Sequence, residues 1–239
     1  MTSTKALTAL AMALAAAGST WAQTPNPQRE AYFGETHQHT SWSFDAFIFG
    51  NTKTTPADSY KYAKGEAIQH PMGYPIKITT PLDWMGVTDH SEYVGVVQMA
   101  NDPTSALAKT ALGKKLVVHG PEDIQRIYLL LGTSMIDGKP FQELMKPAIA
   151  GTVWKRNNEM ADAANEPGKF TAFCAYEWTS TPDNRNMHRN GFFKDCAKVP
   201  EMPFSSLEST DPSDVWAWMD KQRKAGMEQL FLPGEVEPL

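Results

Sequence analysis

Apolar residues in this chain occur as short runs bounded by turn-formers and as longer stretches with helical spacing. Ala31-Tyr32-Phe33, Pro81 to Thr88, Phe170 to Tyr176, Asn190 to Phe193 and Leu230-Phe231-Leu232 are runs of strand length. Thr55-Pro56 shows the cap-then-proline start of a short helix, which Gly65 closes. Ile68 to Thr80 carries Pro71, Gly73 and Pro75 before the alternating Ile76-Lys77-Ile78, which predicts an irregular loop with a small hairpin arm. Ser105 to Lys115, Pro121 through Leu131 and an amphipathic run from Lys139-Pro140 to about Ala164 predict a helical middle, with Trp154 and Met160 in its core. Asp211-Pro212-Ser213 caps a last helix whose basic tail, Lys221 to Lys224, suits the negative end of its dipole and whose stop is Gly226. Strands alternating with helices predict an α/β domain whose strands run parallel, with their C-terminal ends at one mouth.

One apolar run fits neither pattern. Lys5 precedes the alanine- and leucine-rich Ala6 to Ala17, and Gly18 to Gln23 follows with small Ala22 at the end. This is the order of a secretory signal peptide over residues 1–22, and it is too short to span a bilayer. The mature chain, from Gln23 and a short polar leader to Glu30, is expected to be exported, periplasmic or secreted, and free of the membrane. About 215 residues remain, enough for one domain with a sizeable core. The net charge is −5, and Lys5 is the only charge of the signal segment, so the mature chain is more acidic still. Without a basic run it offers no electrostatic footprint for nucleic acid. Export permits a disulfide between Cys174 and Cys196, while the apolar run around Cys174 suits a buried free thiol equally well. There is no internal repeat, Walker-type loop, dinucleotide fingerprint or Gly-x-Ser-x-Gly elbow.

Candidate chemistry gathers at the ends of the apolar runs. His37 and His39, one residue apart after Ala31 to Phe33, have the spacing at which alternate strand side chains point the same way and can grip one metal ion. Asp45, on the loop that follows, is a suitable oxygen partner. Asp89-His90 ends the second run and Glu177 the third, and a loop rich in Pro, Asp, Asn and Arg presents His188 before the fourth. The loop from Ser41 to Asn51 is aromatic, either as a pocket wall or as packing for the core. His70, before a proline, and His119, in an inter-helix turn, read as surface residues outside the site.

These residues also carry a resemblance. His37-Gln38-His39-Thr40 with Asp45, Thr88-Asp89-His90 and the strand-end Glu177 resemble the opening motifs of the polymerase and histidinol phosphatase (PHP) superfamily. From about Ala31 to Lys224 the chain is more closely similar to a bacterial PHP-like family catalogued as domain of unknown function 3604. The similar segments are Tyr32-Phe33-Gly34, Asp45 to Asn51, Val87 to Tyr93 and Tyr176 to Ser180. The resemblance implies an irregular (β/α)7 barrel holding two or three divalent ions of zinc, manganese or iron. It implies that His37 and His39 share a first ion with Glu177, that Glu177 bridges to a second ion with His188, and that Asp45 and His90 hold a third. Glu177 and Asp89 are the implied catalytic carboxylates, with Asp89 orienting a ligand histidine. The implied activity is hydrolysis of a small-molecule phosphoester through a metal-activated water. A non-catalytic exported module that binds a metal or ligand through part of the site is the alternative. A cupin-like β-barrel also uses His-x-His with Glu and His, but the helical middle weighs against it. PHP barrels complete their site with a later histidine and a final Asp-x-His, whereas no histidine follows His188 here. The barrel is therefore expected to be incomplete at its C-terminus, as a truncated or frame-altered version of a longer protein or one completed by a partner chain.

Overall fold

Short apolar runs pair into one five-stranded sheet, seen in a computed structural model that describes residues 30–182 and 185–234. The signal peptide expected over 1–22, the leader from Gln23 through residue 29 and the residues from Glu235 onward lie outside the described residues. The chain divides into two units, residues 1–32 and 33–239. Of the first, residues 30–32 are described, with Tyr32 Oη donating to Glu30 Oε2 at 2.8 Å. The sheet and the candidate site belong to the second.

Strands β1 (Gly34–Glu35), β4 (Trp84–Gly86) and β5 (Thr171–Ser180) are parallel, and β6 (Met187–Phe193) and β7 (Gln229–Pro233) continue the sheet antiparallel. The result is a mixed α/β architecture with a curled half-barrel sheet. The expectation of uniformly parallel strands is therefore corrected. Only residues 181–186 join β5 to β6, and a parallel crossover needs about a dozen. The expected hairpin arm is β2 (Ile68–Gln69) against β3 (Pro75–Ile76).

The first strand also starts later than the apolar run Ala31 to Phe33. The N–H of Phe33 is drawn to the Asp83 carboxylate, Oδ2, at 2.7 Å instead of a backbone carbonyl, so the ladder begins at Gly34 and the Phe33 ring stays exposed. Gly34 is required there, because a Cβ would run into the Trp84 ring.

Helix α2 (Pro56–Ala63) is fixed by a capping box in which Thr55 and Asp58 satisfy each other's backbone N–H. Alternate residues of β5, Ala172, Cys174, Tyr176 and Trp178, pack against Tyr60 and Ala63 of α2, Trp154 and Ala161 of α6 (Thr152–Ala164) and Val215 of α7 (Pro212–Lys224). Their neighbours Phe173, Ala175, Glu177 and Thr179 point to the other face by the period of two. A second core joins Phe44, Phe47 and Ile48 of α1 (Phe44–Ile48) to Val96 and Val97 of α3 (Val96–Ala100) and Ile127 and Leu131 of α5 (Pro121–Ile136). The aromatic loop thus serves mainly as core, apart from the exposed Phe49. Trp154 is buried as expected, and Met160 packs at the edge of a small cluster of Trp42, Val94 and Val153.

Two expected helices are broken. Ser105 to Lys115 resolves into a 3₁₀ turn, Leu107–Lys109, and α4 (Ala111–Lys115), because Thr110 takes an extended conformation and caps α4 by accepting from Gly113 N. The run from Lys139 yields helix only from Thr152, behind a π turn over Pro147–Gly151. Lys146 is extended (ψ 144°), as the residue before a proline prefers. The alternatives for the cysteines resolve in favour of a disulfide between Cys174 and Cys196, which pins β5 to the turn Cys196–Lys198.

Candidate metal centre

Past Glu35 the chain turns because the Glu35 carboxylate accepts the N–H groups of Thr36 (2.8 Å) and His37 (2.9 Å). Gln38 then pairs with Thr88, its N–H on Thr88 Oγ1 and its carbonyl on Thr88 N, so the parallel alignment of β1 and β4 persists beyond both strands. The imidazoles of His37 and His39 converge, with their Nε2 atoms 2.9 Å apart. The chain after β4 stays beside β5 in the same way. Glu177 N donates to Asp89 O and Ser91 N to Glu177 O, which brings His90 level with Glu177. Glu177 is not at the end of its strand, as the apolar run suggested, because β5 continues to Ser180 through its pairing with β6. His188 is likewise inside β6, opposite Thr179.

Glu177 is the hub. Its Oε2 lies 3.4 Å from His37 Nε2, 3.0 Å from His39 Nε2 and 3.4 Å from His90 Nδ1, and its Oε1 lies 2.7 Å from His188 Nδ1. Asp45, in the first turn of α1, has Oδ2 3.4 Å from His90 Nε2. Three groups could each hold an ion, with ligand atoms within 4.8 Å of one another: His37, His39 and Glu177; His39, Asp45 and His90; His90, Glu177 and His188. All six expected ligands are brought together. Glu177 is fully buried, yet neither oxygen has a hydrogen bond of acceptable geometry, although four imidazoles crowd it. An interior carboxylate ringed by four imidazole nitrogens has the donor set that suits a divalent cation.

The electrostatics of the site follow from the same contacts. Burial opposes charge on His39, but the adjacent carboxylates of Asp45 and Glu177 outweigh it and push its pKa up to about 10. Burial would raise Asp45 and Glu177, but the surrounding histidines hold both carboxyls well below the usual range. His90 is raised, burial being outweighed by Asp45 and Glu177. A metal held by these nitrogens has to displace any proton they carry.

Asp89 lies beside this set without joining it. Its carboxylate accepts from Thr40 N at 2.5 Å and Thr40 Oγ1 at 2.6 Å, so it anchors the backbone after His39, and among the described residues it makes no hydrogen bond to a ligand imidazole. Burial lifts its pKa to about 6. His70 stacks on Tyr74 of the hairpin with ring centroids 4.4 Å apart. His119 likewise takes no part in the three ligand groups.

Three residues of the centre were not singled out from sequence. Thr179, whose Oγ1 lies 2.9 Å from His90 Nδ1 and 3.0 Å from His188 Nδ1, sits two positions after Glu177 on the same strand face, a period-two signal that could have found it. Glu92 lies two positions after His90 and is fully buried. Ser43 is the third. Its hydroxyl makes a very short hydrogen bond to Asp45 Oδ1 and sits 2.9 Å from His39 Nδ1. Having donated its proton to the carboxylate, it accepts from His39, which assigns the proton to Nδ1 and turns the Nε2 lone pair toward Glu177. Ser43, His39 and Glu177 thus share the layout of a Ser-His-acid triad. Ser43 is completely buried and its hydroxyl is committed to Asp45, so it is no nucleophile.

Fold and site together define a mixed α/β half-barrel whose buried His, Asp and Glu clusters could hold metal. The chain belongs to the family described as protein of unknown function (DUF3604), whose profile matches residues 26–235. No curated protein and no solved structure matches it.

Proposed function

We propose that this chain is a metal-dependent hydrolase of PHP type, built on the irregular (β/α)7 plan, exported by its N-terminal segment and acting on a small-molecule phosphoester. The observation that carries this reading is Glu177, a buried carboxylate without hydrogen bonds at the meeting point of His37, His39, His90 and His188. Zinc, manganese or iron all suit such mixed nitrogen and oxygen ligands. His37 Nε2, His39 Nε2 and Glu177 Oε2 would hold one ion, Glu177 Oε1 and His188 a second, and Asp45 and His90 a third. Clustered divalent ions supply a lowered pKa for water and neutralise charge on phosphoester oxygens.

The protein residues set the geometry. Glu177, with no exposed surface, fixes two ligand groups relative to each other. Asp89 locks the backbone after His39 through Thr40, and Ser43 fixes the His39 tautomer. His37 and Asp45 are the more open members, with side chains 26% and 31% exposed, so substrate approaches from their side.

The test is turnover of a panel of phosphomonoesters and phosphodiesters by the purified chain supplied with each metal. Phosphate-ester hydrolysis that is lost in a folded Glu177→Gln variant is expected. A tightly held ion without turnover of any substrate would favour the non-catalytic binding module. Export is tested by fractionation, with a mature species beginning at Gln23 expected outside the cytoplasm.

A further inference from the structure

His90 is shared by two of the three ligand groups, and the two uses exclude each other. Its Nε2 lies 3.4 Å from Asp45 Oδ2, and its Nδ1 lies 3.4 Å from Glu177 Oε2. A neutral imidazole has one lone pair, so one nitrogen can hold an ion while the other carries the proton. The acceptor of that N–H decides which group owns the histidine.

Thr179 Oγ1, 2.9 Å from His90 Nδ1, decides nothing alone, since a hydroxyl can donate or accept. Glu92 supplies the asymmetry. Its Oε1 accepts from Ser206 N at 2.8 Å, Thr179 N at 3.4 Å and Ser91 Oγ at 3.2 Å. Its Oε2 is buried without a hydrogen-bond partner and lies 3.7 Å from His90 Nδ1, the one ion-pair contact Glu92 makes among the described residues. Neighbouring backbone is held as well. Tyr93 has a positive φ of 55°, and its hydroxyl is fixed by Ser134 Oγ at 2.7 Å and Phe141 N at 3.0 Å. With Oε1 tied down, the other oxygen of Glu92 stays on the Nδ1 side of the His90 ring, and an ionised carboxylate there can only accept.

We infer that Glu92 is a positioning residue that holds His90 in the Nδ1–H form, directs Nε2 to the Asp45 side and so assigns His90 to the Asp45 ion and withholds it from the Glu177–His188 ion. This rests on the metal reading of the site. It also removes the ambiguity of three overlapping ligand groups. Ser43 commits His39 to Glu177, Glu92 commits His90 to Asp45, and Glu177 alone is left to bridge.

The test is two-bond proton–nitrogen NMR on the full chain labelled with ¹⁵N-histidine and loaded with zinc, with His90 assigned from the spectrum of His90→Gln. The expected wild-type pattern is a protonated Nδ1 and a metal-bound Nε2. Glu92→Gln keeps an oxygen for Ser206 and Thr179 but turns an NH₂ toward the ring, so the tautomer should invert. One zinc should then weaken by about 10- to 100-fold while the Glu177-centred zinc stays. Zinc uptake with His90 bound through Nδ1 in the wild type, or an unchanged tautomer and zinc content in Glu92→Gln, would overturn the inference alone. Failure of the wild type to take up zinc would overturn the metal reading and this inference with it. Should Glu92→Gln not fold, the wild-type tautomer still decides.

Discussion

Glu177 Oε2 lies 3.0 Å from His39 Nε2, on a carboxylate that is fully buried and has no hydrogen bond of acceptable geometry to either oxygen. An imidazole nitrogen and a carboxylate oxygen at this distance could share one cation. The other contacts of the centre follow from this pair. His37 reaches the same oxygen, His188 the opposite one, and Ser43 holds the far nitrogen of His39.

Glu177→Gln and Asp89→Asn separate the two catalytic carboxylates expected from sequence. Glu177 contributes to two ligand groups, whereas Asp89 acts through Thr40. Metal content after dialysis should fall further in Glu177→Gln. Asp89→Asn should lose about 10- to 100-fold in affinity, on the order of 1 to 3 kcal/mol. Equal metal content in the two variants would contradict a bridging role.

Ser43→Ala removes the acceptor that sets the His39 tautomer. Metal affinity should drop by about 10- to 100-fold. Stability should fall by about 1 to 3 kcal/mol, because a buried ring N–H loses its partner. Turnover should return at high metal concentration, an outcome impossible for a lost nucleophile. Titrating metal into the variant while following rate separates the two.

The pH dependence of the metal-free protein follows from His39 and Asp89. The pKa of His39 is raised from 6.5 to about 10, so its contribution to stability is complete below 6.5 and is lost as pH rises toward 10. Asp89 is raised from 3.8 to about 6, so it too favours the folded state at low pH and gives up that contribution as pH passes about 6. Asp45 and Glu177 are lowered and work in the opposite sense, stabilising above the ordinary carboxylate range and failing in strong acid. Thermal melts of metal-stripped protein should therefore decline from about pH 6.5 to 10. Metal affinity should rise over the same window by up to about tenfold per pH unit, since the His39 proton must leave first. Calorimetry in buffers of different ionisation enthalpy reads that proton. Metal binding without proton release near pH 7.5 would contradict the assignment.

Much of the centre was legible because its chemistry is local in sequence. His37-Gln38-His39 and Asp89-His90 mark the ends of apolar runs, and the same runs place Glu177 and His188 on neighbouring strands. What was not legible depends on pairing across distance. The antiparallel turn from β5 into β6 carries Glu177 and His188 inside strands instead of at their ends, and nothing in the apolar pattern distinguishes that from a parallel crossover. Ser43 carries no local signal because its role depends on meeting His39 and Asp45 in space, and Glu92 carries none because a lone glutamate is seldom fully buried. The break at Lys146 was readable from Pro147, but the helical periodicity on either side masked it.

The disulfide offers a prediction independent of metal. Cys174 and Cys196 are 22 residues apart, and closing a loop of that length stabilises by about 3 kcal/mol through the unfolded state. Cys196→Ser should lower the melting temperature, and the wild type under strong reductant should fall to the same value. A melting temperature insensitive to both would show that the bridge contributes nothing.

The most direct measurement is anomalous diffraction from crystals of the full chain grown with zinc or manganese. One peak is expected beside His37 Nε2, His39 Nε2 and Glu177 Oε2, a second between Glu177 Oε1 and His188, and a third between Asp45 and His90, with Glu177 between the first two. Crystals with no anomalous peak at Glu177, and with its oxygens instead accepting N–H bonds from the four imidazoles, would contradict the metal reading.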